Sequence, residues 1–225
     1  MRLIGQLDSP YVRRVAISLH HLGIGFEHEA LSVFRDMDEF GQINPLIKAP
    51  TLVTDSNEVL MDSTLILEYA ERIAAQKQTK LSLIPSAISD HERALRLVGL
   101  AINACDKSVQ LFYERELRPT EKQHQPWIDR VKTQLTAAYD LLEDYAAQTS
   151  SWLIGTALTQ ADITVAVAWQ FTQLVVADAV NRAQYPALCE LSSRAEALPV
   201  FQTYPLTPDF HQRMAAAQNG SERRD

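Results

Sequence analysis

The chain has 225 residues, 46% of them hydrophobic, and a formal net charge of -7. It is long and apolar enough for one large or two small packed domains. With Arg13-Arg14 and Arg223-Arg224 as its only basic clusters, the acidic balance argues against nucleic acid as a partner. The opening Met1-Arg2-Leu3-Ile4-Gly5 has neither a secretory signal nor a transit peptide, which points to the cytoplasm. Thr164, Gln170, Thr172 and Gln173 interrupt the apolar segment from Ile163 to Val176, which therefore reads as a buried core helix and not a membrane span. Cys105 and Cys189 lie far apart with no CxxC and no nearby His pair, and the six His residues show no ligand spacing. No disulfide framework and no metal are inferred, and each Cys reads as a small buried apolar residue.

In chain order, Arg2 to Gln6 and Phe26 to Leu31 are strand candidates. They flank a segment, Pro10 to Leu22, in which Val12, Val15, Ala16 and Leu19 recur at helical spacing. Gly23 and Gly25 end that helix. Ser32 to Ile47 shows no clear pattern. Thr51 to Thr54 and Glu58 to Leu60 read as a hairpin around Asp55-Ser56-Asn57, and Ser63 opens a helix that runs to about Gln76. Everything after about Ile88 is helical: His91 to Leu117, Trp127 to Gln148, Thr159 to Val176 and Ala187 to Leu198. The expected organisation is an α/β domain over residues 1–77, a linker over 78–89, an all-α bundle over 90–206, and a loosely ordered tail over 207–225.

Ser9 stands between strand and helix with Pro10 behind it, a favoured helix start that is worth about 1 kcal/mol over Ala at the cap. The same hydroxyl, while accepting from a backbone N–H, keeps a proton to donate. A thiolate placed there gains that hydrogen bond and the positive end of the helix dipole. In Lys48-Ala49-Pro50-Thr51, a cis bond before the proline would turn the N–H and C=O of Ala49 toward an extended peptide ligand. Asp62-Ser63 either caps the next helix or receives a ligand carrying a carboxylate and an amine. Thr159 and Asp162 fit a structural capping box. Asp106 and Tyr113 are candidates for a second-substrate site, against the alternative that they simply face solvent.

Together these segments resemble the cytosolic glutathione transferase superfamily. Leu3 to Arg14 is similar to its first strand and catalytic turn, in the form that carries Ser. Asn44-Pro45-Leu46-Ile47-Lys48-Ala49-Pro50-Thr51-Leu52 is similar to its cis-proline segment. Asp62 to Tyr69 is similar to the helix that binds the γ-glutamyl group, and Thr159 to Asp162 to a capping box in its helical domain. The resemblance implies a thioredoxin-like first domain, an all-helical second domain, glutathione as cosubstrate, and a homodimer with active sites near the interface. It carries over Ser9, Lys48, Ala49, Pro50, Asp62 and Ser63 as glutathione contacts, with Tyr11 joining Asp106 and Tyr113 as second-substrate candidates. Ala49 replaces the usual Val, and Asp62 the usual Glu or Gln. The implied activity is attack of the glutathione sulfur on a small electrophile, or peroxide reduction. A disulfide reductase is disfavoured by Ser in place of Cys, and a non-enzymatic binding or regulatory protein of the same fold is the alternative.

Overall fold

The computed structural model describes residues 1–77 and 81–206, so the tail expected over 207–225 lies outside the described residues. Among the described residues two compact units are present: residues 1–77, 81 and 203–206, and Ser82–Gln202.

In the first unit, β1 (Arg2–Ile4) leads into α1 (Pro10–His21) and returns to β2 (Glu27–Glu29), which pairs parallel to β1. Ser9 is the N-cap of α1 and Pro10 follows it, because a fixed φ and a missing N–H cost nothing in a first turn. The helix ends in a Schellman motif. Gly23, at φ 69°, lets its own N–H reach the His20 carbonyl at 3.0 Å and the Ile24 N–H reach that of Leu19 at 2.9 Å.

The stretch without a clear sequence pattern contains α2 (Met37–Ile43). Its seven residues bury only Phe40, too little to leave a helical period in the sequence. The hairpin β3 (Thr51–Val53) and β4 (Val59–Met61) then adds two antiparallel strands, giving the sheet order β2-β1-β3-β4. Ile4 and Val53 pack with Phe40 on one face of the sheet. Side chains alternate along a strand, so Leu3 and Leu52, paired across β1 and β3, belong to the opposite face, which α1 and α3 (Ser63–Gln76) cover.

The second unit is helical: α4 (Ile88–Glu116), α5 (Gln125–Ala146), α6 (Gln160–Val175), α7 (Pro186–Glu196) and the short α8 (Pro199–Thr203) at its end. α4 packs on both α5 and α6, and α7 packs on α5 and α6. Leu83, in the stretch expected as linker, is buried, and its carbonyl accepts the Gln160 N–H at 3.0 Å. α6 is buried on nearly all sides from Ala161 to Thr172. Asp162, fully buried at its start, accepts from the Thr159 N–H at 2.8 Å, the Thr159 hydroxyl at 2.7 Å and the Leu153 N–H at 2.7 Å. Burial raises its carboxyl above the ordinary value, while those three donors pull the other way.

Tyr139, Trp169 and Tyr185 meet edge-on in this core, with centroids 5.3 to 6.1 Å apart. A buried polar chain crosses it. Ser108 and Thr172 hydroxyls are 2.7 Å apart, Thr172 and Tyr139 2.6 Å, and Tyr139 donates to the Ala168 carbonyl at 3.0 Å. Every proton is used if Ser108 donates to Thr172 and Thr172 to Tyr139. Cys105 is buried as expected. Cys189 is only partly so, because it lies on the α7 face that is not packed inward.

Candidate functional site

In the first unit Ser9 caps α1, Ala49 and Pro50 lie in the loop before β3, and Ser63 opens α3. At the end of β1, Gly5 has φ +133°, and a Cβ there would stand 2.6 Å from Val12 Cγ2 and 3.0 Å from Ala49 Cβ. The first turn of α1 and the loop before β3 therefore close on one backbone position that only glycine fits.

Ser9 is half-buried, and its Oγ accepts from the Val12 N–H at a long 3.4 Å. Its hydroxyl proton has no acceptor among the described residues, so the capping role leaves it a donor. Tyr11 is half-buried in the same turn.

The loop before β3 is held from below by Asn44, a buried residue not singled out in the sequence beyond its place in the resemblance. Its amide donates to Thr51 Oγ1 at 2.8 Å and accepts from the Leu46 N–H at 3.0 Å, while Thr51 donates to the Lys48 carbonyl at 2.7 Å. Ile47 has φ 47° and the Ala49–Pro50 bond is cis. A β-branched residue in the left-handed region is a strained position of the kind that a tightly determined site retains. The N–H and C=O of Ala49 make no hydrogen bond among the described residues. Lys48 is exposed, and its ammonium is likewise without a partner among them.

Asp62 caps α3 with φ 72°, its Oδ1 accepting from Thr64 N–H at 2.8 Å and Leu65 N–H at 3.4 Å. Its other carboxylate oxygen has no partner among the described residues. Ser63, the first residue of α3, is buried and accepts from Arg14 Nη1 at 2.9 Å. Arg14, almost wholly buried, also donates to Thr64 Oγ1 at 3.3 Å. In the sequence Arg14 stands out only as half of a basic pair and as the end of the segment similar to the catalytic turn, because helical spacing does not reveal which polar side chains turn inward.

Asp106 and Tyr113 stand on α4 of the second unit, both exposed. Tyr113 borders an open cleft of about 510 Å³ with Glu114, Leu117, Arg118, Lys122 and Trp127; Asp106 does not line it. The cleft went unnoticed in the sequence because its walls come from the end of α4, the following turn and the start of α5. Among the described residues no cluster of His, Cys, Asp and Glu is placed to hold a metal ion, and no helix is long and apolar enough to cross a membrane.

A thioredoxin-like unit with these three loops, followed by a helical unit, defines a class of protein. The family described as glutathione S-transferase, N-terminal domain, matches residues 3–78, and that described as glutathione S-transferase, C-terminal domain, matches residues 103–199. An uncharacterised GST-like protein of Escherichia coli (strain K12), YibF, is 30% identical over 145 residues, 64% of this chain and 69% of that protein. Maleylacetoacetate isomerase of Pseudomonas aeruginosa is 27% identical over 214 residues, 91% of this chain and 96% of that enzyme. A glutathione S-transferase of Methylobacterium radiotolerans, solved in complex with glutathione sulfonate, superposes with a TM-score of 0.83 at 27% identity, covering 90% of this chain and 93% of that one. The chain belongs to the glutathione S-transferase family.

Proposed function

We propose that this protein is a glutathione transferase in which the Ser9 hydroxyl donates a hydrogen bond to the sulfur of bound glutathione and keeps it anionic. The observation that carries this reading is the unclaimed proton of Ser9 at the N-cap of α1. A thiol has an ordinary pKa of about 8.5, and a hydrogen bond to the thiolate together with the positive end of the helix both lower it. The unpaired N–H and C=O of Ala49 suit the cysteinyl backbone of the tripeptide, as in β-pairing. Ser63 and the free oxygen of Asp62 suit the γ-glutamyl carboxylate and amine, and Lys48 is a cation available to an anionic group. The glutathione sulfonate bound by the relative from Methylobacterium radiotolerans supports the ligand assignment.

In this reading the thiolate attacks a small electrophile or reduces a peroxide. Ser9→Ala removes the donor at a cost to the helix cap of only about 1 kcal/mol, with Pro10 still opening the helix. Turnover with an aryl halide is expected to fall about a hundredfold, with glutathione affinity by calorimetry changed little. Unaltered turnover in a folded Ser9→Ala variant would refute the role of Ser9.

The likeness to maleylacetoacetate isomerase favours a second reading, isomerisation. The same thiolate would add to an unsaturated substrate and leave again, so glutathione would be regenerated. Thiol counting during turnover separates the two: conjugation consumes one thiol per product, and isomerisation consumes none.

A further inference from the structure

Ser63 is buried at the first position of α3, and its N–H and its hydroxyl proton have no acceptor among the described residues. A serine hydroxyl is free to rotate, so it can present either a proton or a lone pair to a ligand. The Arg14 guanidinium removes that choice. It carries only donors, so in the 2.9 Å contact between Nη1 and Oγ the serine oxygen must accept. Its proton is then directed away from Arg14, on the same residue whose N–H is also unclaimed. The 3.3 Å contact to Thr64 Oγ1 fixes the neighbouring hydroxyl in the same sense. Two donors side by side on one residue, backed by a buried cation, form a receptor for a carboxylate and not for an amine or an amide N–H. Arg14 comes from the middle of α1, the helix that Ser9 caps, so one short segment serves both the sulfur and the carboxylate ends of the ligand.

We propose that Arg14 is a positioning residue for glutathione binding: by donating to Ser63 Oγ it sets the Ser63 hydroxyl as a donor and adds buried positive charge behind the γ-glutamyl α-carboxylate. The inference rests on the glutathione reading above. Its test uses calorimetry on the full chain with glutathione and with γ-aminobutyryl-cysteinyl-glycine, which keeps the amine and lacks the α-carboxylate. Arg14→Gln is expected to weaken glutathione binding about tenfold and to change binding of the carboxylate-free peptide less than about twofold. Ser63→Ala should give the same pattern, and the double variant should bind more weakly than Ser63→Ala alone but lose less than the product of the two single losses, because Arg14 acts partly through the Ser63 hydroxyl and partly through its charge. Arg14→Lys keeps the charge and a donor, so it serves as a folding-safe variant with a smaller loss confined to glutathione. KM for glutathione should rise in both Arg14 variants while kcat stays within about twofold, since Ser9 is untouched. Equal losses for both peptides, or no loss for either, would overturn the assignment. Failure of the unaltered protein to bind glutathione at all would instead sink the reading on which it rests.

Discussion

A methyl group is enough to disturb the junction at Gly5. The ideal Cβ would meet Val12 Cγ2 at 2.6 Å, far inside normal contact, and φ +133° is closed to other residues. Gly5→Ala is expected to cost about 2 kcal/mol or more, read as a lower denaturant midpoint with an unchanged slope. Because the clash pushes on α1 and on Ala49, glutathione affinity should fall in the same variant. A glycine at the end of a strand is visible in the sequence, but its neighbours across the fold are not. Arg14 shows the same limit. Its side chain turns inward on a helix whose sequence pattern marks only apolar positions, and its partners lie 49 and 50 residues away.

Among the elements, long helices were readable because each buries a continuous stripe or, in α6, nearly its whole surface. Short α2 was not, since it stands on one side chain, Phe40, pressed against the sheet. The ring cluster that joins α5, α6 and the start of α7 has a consequence for alkaline stability. Tyr185 is 2% exposed and donates to Asp140 Oδ1 at 2.9 Å; burial first, and then the Asp140 carboxylate, push its phenol up to about 12. Burial likewise pushes Tyr139 well above the ordinary value. The native state thus holds these protons more tightly than the unfolded chain does. Their stabilising contribution is complete below the ordinary tyrosine value of about 10 and is lost as pH rises, through about 12 for Tyr185. In an absorbance titration of the seven tyrosines, these two should ionise only as the protein unfolds. Tyr185→Phe should remove one late step and flatten the loss of stability over that pH interval. A Tyr185 that titrates together with the exposed phenols would contradict this account.

At the scale of the whole molecule, the chain returns after α8 to the unit where it began. Arg13, wholly buried, donates from Nε to the Tyr204 carbonyl at 2.8 Å. The Tyr204 ring stacks on Phe26 with centroids 5.8 Å apart and meets the edge of His20 at 5.6 Å. Tyr204→Ala should cost about 1 to 2 kcal/mol and lower hydrogen-exchange protection in α1 more than in α5. Unchanged protection in α1 would show that this segment does not brace the helix. Residues 191 positions apart thus meet at Arg13, a contact no local pattern announces.

Sequence alone determined the change from β-α-β to all-helical texture, the capped starts of α1, α3 and α6, and the family, because these follow from short-range spacing and turn chemistry. Tertiary structure decided what those segments do to one another: the crowding at Gly5, the inward turn of Arg13 and Arg14, the polar chain through Thr172 and the brace at Tyr204. Each of these joins groups from separate elements, and distances of a few ångströms between distant residues are set only when the chain has packed.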